Sequence, residues 1–493
     1  MNQNTPVMAN DSQPIPRKRD PRLDFFRGIG MFIIFMAHMP GNWFTLYIPA
    51  RFGFSDATEI FVFCSGMASA IAFGKLFETT GWLMGALRII YRVWQVYWAH
   101  IGLFFTTMLL VVFQSQIAAT GALCEYNAER FCLEPEPWDY VGRLNIIHLF
   151  QSTSGIDGVA ATTASQNFAG LMTLTWVPNL FDILPMYIVI LALIPIVMGI
   201  KKLTNQFVAL GFIVFLWLMA QDGVAALLGI DTIIGHYMGI KPGGINFPAE
   251  PWSERAWFFN PFGWQLVFFT GFAFMMGWLP KPPIKPTLVI VSALIVLFYV
   301  PFSFWGIYNQ TDNVVIGQEA ARSLFGVETL SELVREPFYE KYKDLEPFSI
   351  FQVARINFWE FMEKSDVGIL RYMHFLFLAY VFWALAGEGG RNLDFNGVIG
   401  KTFVKVVHKV GQQSLAVFLT SIVLSRFCGF ILDIIGKSWP KMMLVNGSGI
   451  LFLIAVAYFV GWIKKTPWKS KPSPKVEKTQ VIDDIRPVLT KQS

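Results

Sequence analysis

Long apolar runs constrain this chain more than any other feature of its sequence. A helix that crosses a bilayer needs about 20 predominantly apolar residues, and about ten segments approach that length. Only 15% of the 493 residues are charged and 54% are hydrophobic, whereas a soluble domain carries about 25% charged residues. We therefore expect an all-α fold, a polytopic transmembrane helix bundle of about ten spans. The predicted spans are 25–47, 57–77, 93–115, 182–200, 205–222, 261–279, 286–304, 369–387, 411–436 and 443–463.

Basic residues beside these runs predict the topology. With the N-terminus in the cytoplasm, every cytoplasmic loop carries Lys or Arg, as the positive-inside rule requires. An even number of spans also returns the Lys-rich C-terminal tail to the cytoplasm. The net charge of +5 is therefore interpreted as a topology signal, and no nucleic-acid partner is expected.

The domain organisation is predicted to be a single membrane domain, 22–463, between two polar ends. Residues 1–21 and 464–493 are rich in Pro, Lys and Ser, which is typical of disordered segments. The first apolar run, Phe25 to Met39, is not followed by a small-residue cleavage site, so we expect it to be retained in the membrane.

The outer side receives three long segments, roughly 116–181, 223–260 and 305–368. They are too long and too aromatic for simple connectors, so we expect ordered helical or loop caps over the bundle. Thr329 to Tyr342 is one short amphipathic stretch among them.

The cysteines match no zinc or haem spacing, and the chain has neither a Walker A loop nor an HExxH motif. We therefore expect no metal site. Cys64 and Cys428 lie in apolar runs and are expected to be packing residues. Cys124 and Cys132 share one polar loop, and the sequence leaves two alternatives open: a disulfide, if that loop faces an oxidising compartment, or two free thiols.

Arg27 and His38 lie within the first predicted span, where ionisable residues are costly and therefore functional candidates. They are eleven residues apart, about three helical turns, so both side chains share one face about 16 Å apart. Pro40 breaks the helix beyond His38. One polar stripe then crosses much of the membrane. The alternatives are an interfacial anchor paired with Asp24 for Arg27, and a backbone-bonded helix-end residue for His38.

Asp56 and Glu59 open the second span. The first two spans form an antiparallel hairpin, so these carboxylates belong at about the depth of His38. A carboxylate beside an imidazole fixes its tautomer and strengthens it as a base. The alternative for Asp56 is a helix N-cap, whereas Glu59 falls inside the apolar run.

Other cations mark both ends of the bundle. Arg88 and Arg92 are i,i+4 neighbours at the cytoplasmic edge of the third span, and paired guanidinium groups suit phosphate recognition. The alternative is simple positive-inside anchoring. Arg371 and His374 begin the eighth span on the outer side.

Longer strings connect these residues. They are Arg22-Leu-Asp-Phe-Phe-Arg-Gly, Gly53-Phe-Ser-Asp-Ala-Thr-Glu-Ile-Phe-Val-Phe, Asp182-Ile-Leu-Pro-Met-Tyr187, Asn260-Pro-Phe-Gly-Trp-Gln265 and Arg371-Tyr-Met-His374. They resemble the OpgC family, within the membrane acyltransferase-three superfamily, from about residue 20 to 463. Members of that family are associated with succinylation of osmoregulated periplasmic glucans in Gram-negative bacteria.

The resemblance implies an O-acyltransferase of the bacterial inner membrane that moves a succinyl group from cytoplasmic succinyl-CoA, or another acyl-CoA, to periplasmic glucans. It implies no permanently bound cofactor, since acyl-CoA is a co-substrate. His38 would be the general base, oriented by Glu59 and Asp56, and Arg27 would be its partner in donor binding.

The resemblance also implies that Arg88 and Arg92 bind the CoA phosphates. A succinyl donor has a free carboxylate, which needs a cationic partner when it is buried. Arg371 is the candidate to receive that carboxylate, with His374 beside it.

Three other functions fit parts of the sequence. A glycan or acyl-carrier transporter is expected to have ionisable groups in both halves, but here they concentrate in the first three spans and the eighth. An O-acetyltransferase of another envelope polysaccharide would share nearly every residue named. An inactive sensor or scaffold is disfavoured because Arg27, His38 and Glu59 are retained together.

Overall fold

The protein is all-helical, as predicted. The structure is a computed structural model that describes residues 20–132, 140–156, 158–304, 330–334, 339, 348–393, 395 and 397–468. It is 72% helix, and the described residues form no strand. Their only extended pairings are two isolated bridges, Thr153 with Thr162 and Pro248 with Ala256.

The principal helices are numbered here in chain order. They are α1 Pro21–His38, α2 Ala57–Thr79, α3 Trp82–Ala119, α4 Ile183–Leu203, α5 Gln206–Met219, α6 Pro261–Met276, α7 Pro286–Phe298, α8 Ile369–Leu385, α9 Val398–Gln412, α10 Ser414–Ile435 and α11 Trp439–Ile463.

Each of the ten predicted spans contains a helix, but the crossing of a membrane is supported unequally. Five helices, α2, α3, α4, α10 and α11, are long and apolar enough to span a bilayer. Four shorter apolar helices, α5, α6, α7 and α8, fall below that length, and α1 belongs to neither set. The apolar helices identify a membrane protein, and the ten-span count stays a prediction.

Two of the principal helices extend outside the predicted spans. α3 begins at Trp82, eleven residues before the predicted start at 93, so Arg88 and Arg92 lie within a helix. The predicted cytoplasmic loop between the spans 369–387 and 411–436 contains most of the amphipathic helix α9, Val398–Gln412. Lys401 and Lys405 lie on its exposed face while Val407 and Val410 are buried, and amphipathic helices of this kind fail a search for apolar runs.

α6 is the central helix, because it is buried on every face from Pro261 to Ala273. It packs on α2 so closely that a Cβ on Gly66 would lie 1.9 Å from the Phe268 carbonyl oxygen. A Cβ on Gly271 would lie 2.2 Å from the Phe63 carbonyl oxygen. The two glycines bring the backbones of α2 and α6 into contact, which fixes α2 in the bundle.

α1 lies between α2, α9 and α10. It runs parallel to α10, since Arg27 contacts Ser414 near the start of both helices and Pro40 contacts Gly429 near their ends. We call the end of the bundle where α1 starts the Arg27 side, and the end where α1 stops the His38 side.

Ordered segments cover the His38 side, as predicted for two of the three outer regions. The first contains the helix Ala164–Thr173 and a disulfide between Cys124 and Cys132, with Cα atoms 5.6 Å apart. Cys64 and Cys428 are free and buried. Most of the third outer region, including most of Thr329 to Tyr342, lies outside the described residues, as do 1–19 and 469–493 of the polar ends.

Candidate functional site

His38 is the last residue of α1, where Met39 leaves the helical conformation. Its Nδ1 lies 2.8 Å from the carbonyl oxygen of Ile34. A carbonyl only accepts hydrogen bonds, so Nδ1 carries the proton and Nε2 keeps its lone pair. Several buried nitrogen and oxygen atoms of the described residues lack a hydrogen-bond partner, and Nε2 of His38 is not one of them. The His38 side chain is half-buried. The backbone bond thus fixes the tautomer in which Nε2 can accept a proton.

The carboxylates Asp56 and Glu59 form a capping box at the start of α2. Asp56 accepts a hydrogen bond from the Thr58 N–H at 2.6 Å, and Glu59 accepts one from the Asp56 N–H at 2.7 Å. Both side chains therefore stabilise the first turn of the helix. The N-cap alternative for Asp56 is correct, and Glu59, which the sequence placed in an apolar run, completes the cap.

Neither carboxylate is hydrogen-bonded to His38, in contrast to the orientation implied by the resemblance. The His38 ring is held by its own helix. Asp56 nevertheless lies within electrostatic range of His38, as do Lys364 and Arg426. The negative charge of Asp56 is therefore placed to act on an imidazolium at His38 through space.

Asp56 and Glu59 each form an ion pair with a cation from the segment around the start of α8. Lys364 pairs with Asp56. Arg371 donates to Glu59 at 2.9 Å, and Glu59 is fully buried. Arg371 also donates to the carbonyl oxygens of Met362 and Glu363, each at 3.2 Å. A buried carboxylate without such a partner would be strongly destabilising. The Arg371 guanidinium is therefore needed to neutralise Glu59.

The His374 ring is hydrogen-bonded to Ser55, just before the start of α2. Its Nδ1 accepts a hydrogen bond from the Ser55 N–H at 3.3 Å and lies 2.7 Å from the Ser55 hydroxyl. A Cβ on Gly53 would lie 2.4 Å from the ring, so only glycine fits there. His374 thus fixes the chain that leads into the Asp56–Glu59 cap.

Hydrogen bonds from the start of α6 and from α5 hold the segment that carries Lys364. Asn260 Nδ2 donates to Asp366 Oδ1 at 2.7 Å, and Trp264 Nε1 donates to the Lys364 carbonyl at 3.0 Å. Trp217 Nε1 donates to the Val367 carbonyl at 2.9 Å. The string Asn260-Pro-Phe-Gly-Trp-Gln265 therefore positions the lysine that pairs with Asp56.

Three carboxylates lie within 4.8 Å of one another in this region, Asp222, Glu363 and Asp366. They are the nearest approach to a set of metal ligands in the described part of the chain, and they were not predicted. Burial, with the charges of Asp222 and Glu363, raises the pKa of Asp366 to about 8. A protonated Asp366 allows the three groups to lie together without an ion, and an acidic cluster alone does not define a cation site.

On the Arg27 side, Arg27 donates to the Ser414 hydroxyl of α10. Ser414 is buried and follows the break between α9 and α10 at Gln413. The predicted stripe on α1 therefore has one end against α10, through Arg27, and the other end at His38.

A basic cluster is made of Arg92 on α3, Lys409 on α9 and Lys464, which follows the end of α11. Lys464 Nζ donates to Gln413 Oε1 at 2.7 Å. Burial and the charges of Arg92 and Lys409 lower the pKa of Lys464. Arg88, by contrast, is exposed and lies over the Tyr91 ring. Of the two predicted arginines, Arg92 is the one that the fold brings to other cations.

Sequence reasoning missed several of these residues. Lys364 stands 308 positions from Asp56, and Lys409 and Lys464 looked like ordinary flanking charges. A reciprocal amide pair, Asn42 with Asn446 at 2.9 and 3.1 Å, fixes the turn beyond His38 and was also missed. Polar residues next to a predicted helix break were the available signal for Asn42.

The fold and these contacts define a class: an all-helical membrane protein with a histidine and paired charges at one end of its central helices and a basic cluster at the other. The family model described as OpgC protein matches residues 19–465. The chain therefore belongs to the OpgC family, and membership indicates an acyltransferase-type role on glucans. No curated protein and no solved structure matches the chain.

Proposed function

We propose that the protein is an O-acyltransferase that moves a succinyl group from succinyl-CoA in the cytoplasm to hydroxyl groups of periplasmic glucans. In this proposal it lies in the bacterial inner membrane with both termini and the Arg27 side facing the cytoplasm. The observation that carries the proposal is the Nδ1–Ile34 bond of His38, which leaves Nε2 as a proton acceptor at the end of a helix whose other end holds Arg27.

His38 acts as general base. A glucan hydroxyl oxygen attacks the thioester carbonyl carbon while His38 Nε2 takes the hydroxyl proton. The new C–O bond forms, the C–S bond breaks, and the CoA thiolate leaves. The proton returns from His38 to the thiolate, so the enzyme ends unchanged. The charge of Asp56 stabilises the transient imidazolium.

Asp56 and Glu59 are positioning residues in this proposal. Their capping box and their bonds to Lys364 and Arg371 hold the start of α2 beside His38. Glu59 therefore does not orient the imidazole directly. It supports the start of α2, where Asp56 lies.

The basic cluster receives the CoA phosphates. The charges of Arg92 and Lys409 act on Lys464, which binds Gln413, and cations close together bind phosphate oxygens strongly. Arg27, which lies between this cluster and His38 along α1, contacts the donor further in. Arg88 adds positive charge at the exposed rim.

The test uses a Gram-negative strain that lacks this gene. The strain is complemented with the parent protein, His38→Ala or His236→Ala, and its periplasmic glucans are weighed by mass spectrometry. His236 is exposed on the helix Asp231–Met238 and serves as a matched histidine control. We expect succinyl-sized increments with the parent and with His236→Ala, and none with His38→Ala at equal protein level.

Unchanged glucans in every strain would overturn the glucan assignment. Acetyl-sized increments would instead assign a different donor. Increments with His38→Ala equal to those of the parent would remove His38 as the base.

A further inference from the structure

A small cleft on the His38 side is lined by charged residues that neither the family strings nor the predicted site include. Its wall contains Pro40, Gln114, Arg143, Arg426 and Asp433. Its enclosed volume is about 20 Å³, which is room for one or two water-sized groups. A carboxylate at the end of a chain is a group of that size.

The cleft lies at the depth of His38. Arg27 contacts Ser414, and from this contact His38 is eleven residues along α1 while Arg426 is twelve residues along the parallel helix α10. At a rise of about 1.5 Å per residue, the two positions differ in depth by about 2 Å. Pro40, two residues beyond His38, packs on Gly429 of α10 and lines the cleft.

The charges of the cleft favour an anion. Arg143 and Arg426 are close enough for their charges to interact. Asp433 is the one carboxylate among the described residues of the wall, and it accepts a hydrogen bond from the Tyr140 hydroxyl at 3.0 Å. Among the described residues the wall therefore contributes two guanidinium groups and one carboxylate.

Arg426 is the unsatisfied member of this set. Its Nε is buried and has no hydrogen-bond partner among the described residues. Gln114 binds only the Arg426 carbonyl oxygen, at 3.4 Å, which fixes the backbone and leaves the guanidinium unused. A buried donor without an acceptor costs free energy that a bound anion would recover.

We propose that Arg426, assisted by Arg143, receives the distal carboxylate of a dicarboxylic acyl group whose thioester carbonyl lies at His38. This inference rests on the proposed function and names its specificity-determining residue. It assigns to Arg426 the role expected of Arg371, whose guanidinium already binds Glu59 and two carbonyl oxygens. The enzyme then selects a dicarboxylic donor over a neutral one of the same length.

The test compares binding of succinyl-CoA with that of butyryl-CoA, which has the same number of acyl carbons and no carboxylate. Both Kd values are measured on the purified full-length protein without glucan, so that no acyl group is transferred. We expect the parent to prefer succinyl-CoA. Arg426→Gln should weaken succinyl-CoA binding about tenfold or more, the worth of a lost charge-assisted hydrogen bond, and leave butyryl-CoA binding unchanged.

Two further variants complete the experiment. Arg426→Lys keeps the charge and should retain part of the preference. Lys441→Gln removes an exposed cation that caps the end of α10 and should leave the preference intact. Unchanged butyryl-CoA binding in Arg426→Gln shows that this variant is folded.

A parent-like preference in Arg426→Gln, or a parent that binds both thioesters equally, would overturn the inference. The glucan masses decide the proposed function separately. Succinylated glucans together with an unchanged preference in Arg426→Gln would mean that the function stands and the carboxylate is received elsewhere.

Discussion

At the scale of single residues, the two carboxylates at the start of α2 are each paired with a cation. Glu59 has no exposed surface and its partner Arg371 is 13% exposed. Desolvation makes each charge costly alone, and the pair is stable because geometry and further hydrogen bonds compensate. The consequence is that Glu59 and Arg371 act as one unit.

Glu59→Gln and Arg371→Gln should each lower the free energy of unfolding by about 3 kcal/mol, because each leaves one buried charge without its partner. The double variant should cost less than the sum of the two, since neither charge then remains alone. Thermal unfolding of the detergent-purified protein measures this.

The control is the ion pair of Lys201 and Glu78, at 3.1 Å, whose side chains are 30% and 51% exposed. Exposed pairs contribute about 0–1 kcal/mol, so Glu78→Gln should leave stability almost unchanged. Equal losses at Glu59 and Glu78 would contradict the buried-pair account.

At the scale of helices, the position of α2 depends on its close contact with α6. Gly66 and Gly271 each face a backbone carbonyl of the other helix. This contact sets the height of Asp56 relative to His38 and so links helix packing to the site.

Gly66→Ala should separate α2 from α6, because the new Cβ would lie 1.9 Å from a backbone oxygen that cannot rotate away. Overpacking of this kind costs about 1–3 kcal/mol, and we expect a lower midpoint of thermal unfolding with reduced glucan acylation. Gly102→Ala is the matched control on α3, since nothing lies within 4 Å of its Cβ.

The control should be stabilised slightly, because alanine is favoured over glycine in a helix by about 1 kcal/mol. A Gly66→Ala protein as stable and active as the parent would show that the α2–α6 contact does not hold the site.

Helices were predictable from the sequence where burial follows apolar length. α2, α4, α6 and α7 begin within one residue of their predicted starts, since polar or proline residues mark those boundaries. α9 was missed because its lysines alternate with its apolar residues. The start of α3 was also missed, since Arg88 and Arg92 interrupt the apolar run yet continue the helix.

At the scale of the whole molecule, two helices, α1 and α3, carry polar residues from one side toward the other. On α3, His100, Thr107 and Gln114 are buried at intervals of seven residues, so they share one face. Gln114 contacts the Arg426 carbonyl, which turns that face toward α10. With Arg27 and His38 on α1, these residues connect the basic cluster to the His38 side.

The parts of the site that could be predicted were those within one helix. The spacing of Arg27 and His38 placed them on a common face, and Asp56 was recognised as a possible cap. Pairings across the fold, such as Lys364 with Asp56, could not be predicted because nothing in local sequence indicates which distant cation will arrive. The same limit explains the expectation for Arg371, whose charge was evident and whose partner was not.

At the level of the whole protein, the contribution of Asp366 to stability should fall as the pH rises from about 4 to about 8. Burial first, then the charges of Asp222 and Glu363, raise the pKa of Asp366 to about 8 from an ordinary value of 3.8. Between these values the folded protein keeps a proton that the unfolded chain has released, so rising pH favours unfolding. Above pH about 8 this contribution is fully lost.

Asp366→Asn removes the ionisation and keeps an oxygen for Asn260. Its thermal midpoint should exceed that of the parent by an amount that grows from about pH 4 to about pH 8. Glu360→Gln, at an exposed position, should follow the parent. A parallel pH profile for Asp366→Asn and the parent would contradict a buried, protonated Asp366.

Vectorial transfer in membrane vesicles tests the central claim most directly. Inside-out vesicles expose the cytoplasmic face, so labelled succinyl-CoA is added outside and periplasmic glucans are enclosed within. The account predicts labelled glucan inside vesicles that contain the parent protein and none with His38→Ala. Equal labelling with His38→Ala, or transfer only when donor and glucan share one side, would contradict it.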